Sequence, residues 1–234
     1  MLLCSPALAE VQALPDGYVR LSALAPGIAQ DIRYARSFNF TGAPVPGYEA
    51  AECILTARTA AALIRVEARL NATGLGLLVF DCYRPVRAVV HFMTWAKDEG
   101  EPASGAVFFP GLTRADLFGA GYIARRSSHS LAVTVDAGLR KLGEPVLRPH
   151  TATGPCDAAF AQRAPESSVD MGTGFDCFSA LSAVTADVGP TAGSNRGLLA
   201  AAMRAEGFRG YAAEWWHFRQ TGDPAGMAQD FPVR

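Results

Sequence analysis

Two short stretches constrain this chain more than anything else in it. Glu214-Trp215-Trp216-His217-Phe218 sets a carboxylate and an imidazole three residues apart between large apolar rings. Some eighty positions earlier, Ser127-Ser128-His129 is followed seven residues after the histidine by Asp136. Two histidines and an aspartate can hold a divalent cation and leave one position open, and a neighbouring glutamate can serve as a base. Any fold of this chain that uses them must bring both stretches to one point.

Geometry restricts how that can happen. On an ideal strand, residues three or seven apart point to opposite faces. His129 therefore belongs to a loop ahead of the strand that carries Asp136, and Glu214 to a bend or bulge beside His217. Residues 131–139 alternate, with Leu131, Val133 and Val135 facing one way and Ala132, Thr134 and Asp136 the other, which predicts a strand. A second strand is expected at 75–81 and a last one at 213–219. The spacing of Ile54, Ala57, Ala61, Ile64 and Ala68 predicts a helix over 49–71, ended by Gly74. Further helices are expected at 85–97, opened by Pro85, and at 195–206, capped by Ser194. Residues 10–48 read as extended, and 98–122 and 143–193 as irregular. With no repeat or linker, residues 10–234 form one α+β domain. A mainly antiparallel sheet carries the metal site, and helices pack against it.

A net charge of −1 offers no basic field for nucleic acid and no polybasic face for a membrane. No apolar run approaches the ~18–20 residues of a spanning helix. Residues 1–9 resemble the end of an export signal, with a small-x-small pattern at Ala7-Leu8-Ala9, so a periplasmic or exported protein is expected and a cytoplasmic one is the alternative. Apart from Cys4 there are four cysteines, with three possible pairings. Cys156 and Cys177 bracket a loop-rich stretch and are the favoured pair; the alternative is four buried free thiols. No C-x-x-C pair is present, which argues against a thiolate zinc site.

Each candidate also has a plainer reading. His91 and His150 lack carboxylate company and read as packed or surface residues, and Trp215 and Trp216 as core that walls off the site. Arg84 can simply tie down Asp81. Asn39-Phe40-Thr41 has the form of a glycosylation sequon, although a chance match is the simpler account. Tyr34 and Asn39 read as structural.

Resemblance adds what spacing cannot. Ser127-x-His129-x6-Asp136 with Glu214-Trp215-Trp216-His217 resembles the VanX-type D-alanyl-D-alanine dipeptidases, zinc D,D-peptidases with a hedgehog-like metal domain. Further matching landmarks follow in order: Asp31-Ile32-Arg33-Tyr34-Ala35, Asn39-Phe40-Thr41-Gly42, Asp81-x-Tyr83-Arg84-Pro85 and Asp170-Met171-Gly172-Thr173-x-Phe175-Asp176. The resemblance implies one Zn²⁺ on His129, Asp136 and His217, with Glu214 as general base and Arg84 stabilising the transition state. Arg84 suits that role physically, because a guanidinium in a dry site can meet an oxyanion with two donors. A free dipeptide also needs a buried acid for its ammonium and donors for its carboxylate, roles that fit Asp170 and Ser127.

The chain departs from the family pattern at Ala132 and Thr134, where the family has glycine and alanine. If position 132 requires positive φ, alanine strains the backbone by about 1 kcal/mol. Thr134 is expected to add bulk on the face of Asp136, narrowing the pocket or tilting that ligand. The resulting expectation is Zn²⁺-dependent hydrolysis of free D-Ala-D-Ala, linked to peptidoglycan turnover or glycopeptide resistance. A D,D-carboxypeptidase or other wall-peptide hydrolase is the enzymatic alternative, decided by whether 143–168 closes the pocket. A non-catalytic, zinc-stabilised binding module is the alternative of another class. The only partner implied is a small dipeptide.

Overall fold

The structure is a computed structural model that describes residues 13–149, 151, 154–224 and 226–234. The leader-like stretch 1–9 and His150 lie outside the described residues. In chain order the main elements are β1 (Tyr18–Arg20), β2 (Ala29–Gln30), β3 (Ile54–Thr56), α1 (Ala57–Asn71), β4 (Leu75–Asp81) and α2 (Val86–Trp95). They continue with β5 (Thr134–Lys141), α3 (Gly189–Ala205), β6 (Phe208–Tyr211) and β7 (Glu214–Gln220). β1 and β3 form a small antiparallel ribbon, and the other five strands form one sheet in the order β2-β4-β5-β7-β6. Only β2 and β4 run parallel; the remaining pairs are antiparallel. The expected α+β fold with a mainly antiparallel sheet is what forms.

β4 and β7 form close to where strands were expected, but β5 begins at Thr134 and not at Leu131, because Leu131 closes a 3-10 turn and Ala132 is left-handed. β5 is buried on both faces from Thr134 to Leu139, because β4 and β7 flank it and other elements cover both sides. Its polar side chains are therefore enclosed, the environment in which charges must be paired or bound.

The first helix corrects two expectations. It begins at Ala57, because Ile54 and Leu55 belong to β3 and the Thr56 side chain caps the helix by accepting from the Thr59 amide at 3.2 Å. Its buried stripe is Ala60, Leu63, Val66 and Leu70, whereas Ala61 and Ala68 face outward. The bulkier stripe removes more apolar area from water and so turns inward. Glu67, on that stripe, accepts from the Leu77 amide at 2.6 Å and fixes the helix to β4. α3 starts at Gly189, ahead of the expected 195, with Pro190 in its first turn; Ser194 lies inside it and is not the cap. α1 and α3 pack against each other and on β4, β5 and β6.

Two disulfides form, Cys53–Cys82 and the expected Cys156–Cys177. Asn39 is buried, and its side-chain amide donates to the Arg36 and Ala43 carbonyls at 2.6 and 2.9 Å, so the sequon is a fold element. Within the irregular stretch 98–122 the chain makes two single helical turns, Gly105–Phe108 and Asp116–Gly119.

Candidate metal centre and its cavity

Three central strands place a row of polar side chains side by side. Asp81 at the end of β4 is paired in register with Asp136 on β5, and Asp136 with His217 on β7. His129 joins them from the 3-10 turn Ser128–Leu131 that precedes β5. The expected loop position of His129 is thus present, and it lets residues seven apart converge. The β6–β7 pairing jumps from Gly210 opposite Phe218 to Tyr211 opposite Glu214, so Trp215, Trp216 and His217 bulge out of that ladder. This irregularity lets Glu214 and His217 line the same cavity.

One ligand atom from each of His129, Asp136 and His217 lies within 4.8 Å of the others. His129 Nε2 is 3.2 Å from Asp136 Oδ1, and His217 Nδ1 is 3.1 Å from the same oxygen. The two imidazole nitrogens are 3.2 Å apart. The other nitrogen of His129, Nδ1, is 2.6 Å from the Cys82 carbonyl oxygen. A carbonyl only accepts, so Nδ1 carries the proton and Nε2 turns its lone pair toward Asp136 and His217. Asp136 Oδ1 is buried and has no hydrogen-bond partner among the described residues. Three potential ligand atoms turned toward one another, one of them orphaned, are what a divalent cation satisfies, and an N, N, O set suits zinc. The residues present therefore fit a metal.

Surrounding groups hold these ligands. Ser128 Oγ stands 3.5 Å from His217 Nε2 and accepts a hydrogen bond from Thr134 Oγ1 at 2.9 Å. Thr134 is fully buried and lies behind the ligands, not in the cavity, so it props His217 through Ser128 and does not narrow the pocket. Ala132 does adopt positive φ, 54°, immediately after the His129 turn.

The cavity beside the ligands has a volume of about 320 Å³, near the lower end of the ~300–1,000 Å³ of small-molecule sites. Arg84, Ser127, Asp176, Tyr34, Glu214 and Phe178 are among its walls. Arg84 is held by Asp81, with Nε and Nη2 at 3.0 and 2.9 Å from Oδ2, and its guanidinium lies over the Tyr34 ring at 5.0 Å. The plainer reading of Arg84, an arginine tied to Asp81, is thus correct, and it coexists with a place in the cavity wall. Glu214 Oε2 is 3.6 Å from His217 Nδ1, and burial raises its carboxyl to about 7 against the opposing pull of His217.

Asp170 is outside the cavity. Its carboxylate accepts from Arg163 at 2.5 Å and from the Gly172 amide at 2.9 Å, which makes it a turn residue that shapes the loop. The acid in the cavity is Asp176, six residues on. Tyr34 donates its hydroxyl to it at 2.6 Å, and burial raises its pKa to about 8. Both residues stood in the family-like motifs, and two acids one loop apart cannot be ranked without knowing which way the loop turns. Asp176 adopts positive φ, 58°, which aims it inward. Tyr34, read as structural, is therefore also a wall of the site. His91 lies on α2, outside the cavity. No described residue of 143–168 lines the cavity; that segment is anchored elsewhere, through Glu166 to Arg33 at 2.5 Å.

Known proteins are similar to this chain over most of its length. The family model described as D-ala-D-ala dipeptidase, peptidase family M15, matches residues 15–148 and 146–233. A D-alanyl-D-alanine dipeptidase of Streptomyces coelicolor is 37% identical over 212 residues, 90% of this chain and 95% of that protein. Those of Enterococcus faecalis and Enterococcus faecium are 34% and 31% identical, over 90% and 93% of this chain and 95% and 98% of their own lengths. The chain belongs to the M15 metallopeptidases, the family of the D-Ala-D-Ala dipeptidases.

Proposed function

We propose that this chain hydrolyses free D-Ala-D-Ala to two molecules of D-alanine and that its metal is Zn²⁺, held by His129, Asp136 and His217. The observation that carries the proposal is the cavity itself, where the three ligand atoms, Glu214, Arg84 and the buried Asp176 share one small space. A zinc ion bound there supplies Lewis acidity, polarising a carbonyl and lowering the pKa of water to near ~7.

The chain's own residues do the rest. Glu214, raised to about 7 by burial, is matched to taking a proton from the attacking water and returning it to the departing amine. Arg84 keeps further N–H donors beyond those given to Asp81, and these can meet the negative charge on the carbonyl oxygen. Asp176 answers the substrate ammonium, whose charge favours its ionised form. The Ser127 oxygen accepts the His129 amide at 3.3 Å, leaving its own O–H to donate to the substrate carboxylate. Asp176, bonded to Tyr34 in the cavity wall, offers a free ammonium a buried acid that an acylated amine does not need, which favours the dipeptidase over the carboxypeptidase. Glu214 and Arg84 speak against a purely structural metal site, which needs neither. Two disulfides support an exported location, since such bonds persist in oxidising compartments.

The test is D-alanine release from D-Ala-D-Ala compared with an N-acylated peptide ending in the same dipeptide, with and without chelator. Chelator-sensitive cleavage of the free dipeptide alone is expected; preference for the acylated peptide would favour the carboxypeptidase. Glu214→Ala should keep its zinc and lose roughly 10²–10⁴ in rate. His217→Ala should lose the metal, and full zinc occupancy in that variant would end the ligand assignment.

A further inference from the structure

The Cys53–Cys82 disulfide stands directly against the metal centre. Cys82 lies between Asp81 and Tyr83-Arg84, just past the last β4 residue in the ladder. Its carbonyl oxygen is the 2.6 Å partner of His129 Nδ1, the bond that turns the other nitrogen of that ring toward Asp136 and His217. Beyond Asp81 the chain leaves the five-stranded sheet. Two backbone bonds remain, Tyr83 N–H to the Ile54 carbonyl at 3.0 Å and Arg84 N–H to the His129 carbonyl at 3.3 Å, besides the disulfide.

The other end of the disulfide is firmly held. The Cys53 amide donates to Gln30 Oε1 at 2.7 Å, and its carbonyl accepts from the Leu21 amide at 2.9 Å. Three residues on, the Thr56 amide donates to the Ala132 carbonyl at 3.0 Å, closing the far side of the His129 turn. The segment from Cys53 to Thr56 thus braces both chain turns that meet at the metal ligands. Both sulfurs are buried, and neither cysteine lines the cavity.

We infer that Cys82, through its disulfide to Cys53, is a positioning residue: it fixes the carbonyl that orients His129 and thereby sets metal affinity. The inference rests on reading His129, Asp136 and His217 as the cation site. Groups that orient a ligand in this way are worth about 10–100-fold in metal affinity. The second disulfide, Cys156–Cys177, provides the comparison. It staples the loop beside Asp176 and contacts none of the three ligands.

The test is Zn²⁺ affinity by competition with a chromophoric chelator, for the wild type, C53A/C82A and C156A/C177A, with the melting temperature of each. The inference expects C53A/C82A to bind Zn²⁺ about 10–100-fold more weakly. C156A/C177A should stay within about threefold of the wild type while losing melting temperature to a similar extent. Unchanged affinity in C53A/C82A, or equal losses in both variants, would overturn it. If C53A/C82A does not fold, Cys53→Ala/Cys82→Val, which refills the sulfur volume, takes its place. If neither folds while C156A/C177A does, the bond is a requirement of the fold and the inference fails. The readout involves no dipeptide, so a wild type that binds Zn²⁺ yet leaves D-Ala-D-Ala intact sinks the proposed function and not this inference.

Discussion

Asp176 brings the conflict between stability and binding down to one side chain. Its pKa in the folded protein is about 8 because burial disfavours the charge, whereas an unfolded chain ionises near ~3.9. Between those values the folded state holds the extra proton, so the group costs stability progressively as pH rises from ~4 to about 8. Asp176→Asn should therefore raise the melting temperature near neutral pH and flatten its decline over that window. It should also raise KM for the dipeptide, which loses a partner for its ammonium. Melting curves at several pH values, set beside KM, decide this; a variant less stable at pH 7 than the wild type would contradict the assignment. Ala132 is the other residue under local constraint. At φ 54° and fully buried, it carries left-handed strain of about 1–2 kcal/mol. Ala132→Gly removes the strain but also a buried methyl worth ~0.8 kcal/mol, so denaturant unfolding should find it within about 1 kcal/mol of the wild type. Ala132→Val adds branching and volume and should cost more than about 2 kcal/mol.

At the scale of elements, the main lesson lies where a short strand runs into a helix. Ile54 and Leu55 match helical spacing by chance, and three residues of β3 are too few to announce a period of two. Thr56 marks the true boundary, and it also bonds Asp223 in the loop after β7. Thr56→Ala removes both interactions and should destabilise by about 1–2 kcal/mol by denaturant unfolding. A loss below about 0.3 kcal/mol would show the cap to be idle. β4 was legible because its apolar run lies between Gly74 and Pro85, and β5 because its residues alternate, although that alternation began three residues too early. The inward face of α1 was not, since it offers two apolar stripes and only tertiary contact with β4 chooses the bulkier.

For the whole molecule, the candidate metal centre joins strands β4, β5 and β7 and the turn before β5 at one point. A cation there binds the folded chain alone, so its removal should lower stability. At a zinc concentration 1,000 times the dissociation constant the difference is about 4 kcal/mol. Calorimetry with and without chelator should show a clear fall in melting temperature that excess Zn²⁺ restores. An unchanged melting temperature would mean that the three side chains do not hold an ion under those conditions.

Residue types and spacing were enough to single out the candidate ligands and base, and the family resemblance supplied the chemistry they imply. The residue types at His129, Asp136, Glu214 and His217 admit few uses together, and the rule that strand neighbours alternate already required His129 to lie off its strand and Glu214 to sit at a bulge. Spacing along a chain carries that information because covalent geometry fixes it. That Asp176 and not Asp170 faces the cavity, that Tyr34 is one of its walls, and that Thr134 supports His217 from behind follow from the packed fold alone. Those outcomes depend on how loops turn and which faces pack, and such contacts join residues that no local period relates. The Cys82 carbonyl against His129 is the clearest instance: a backbone atom, the same in every residue, gains its role solely from where the fold puts it.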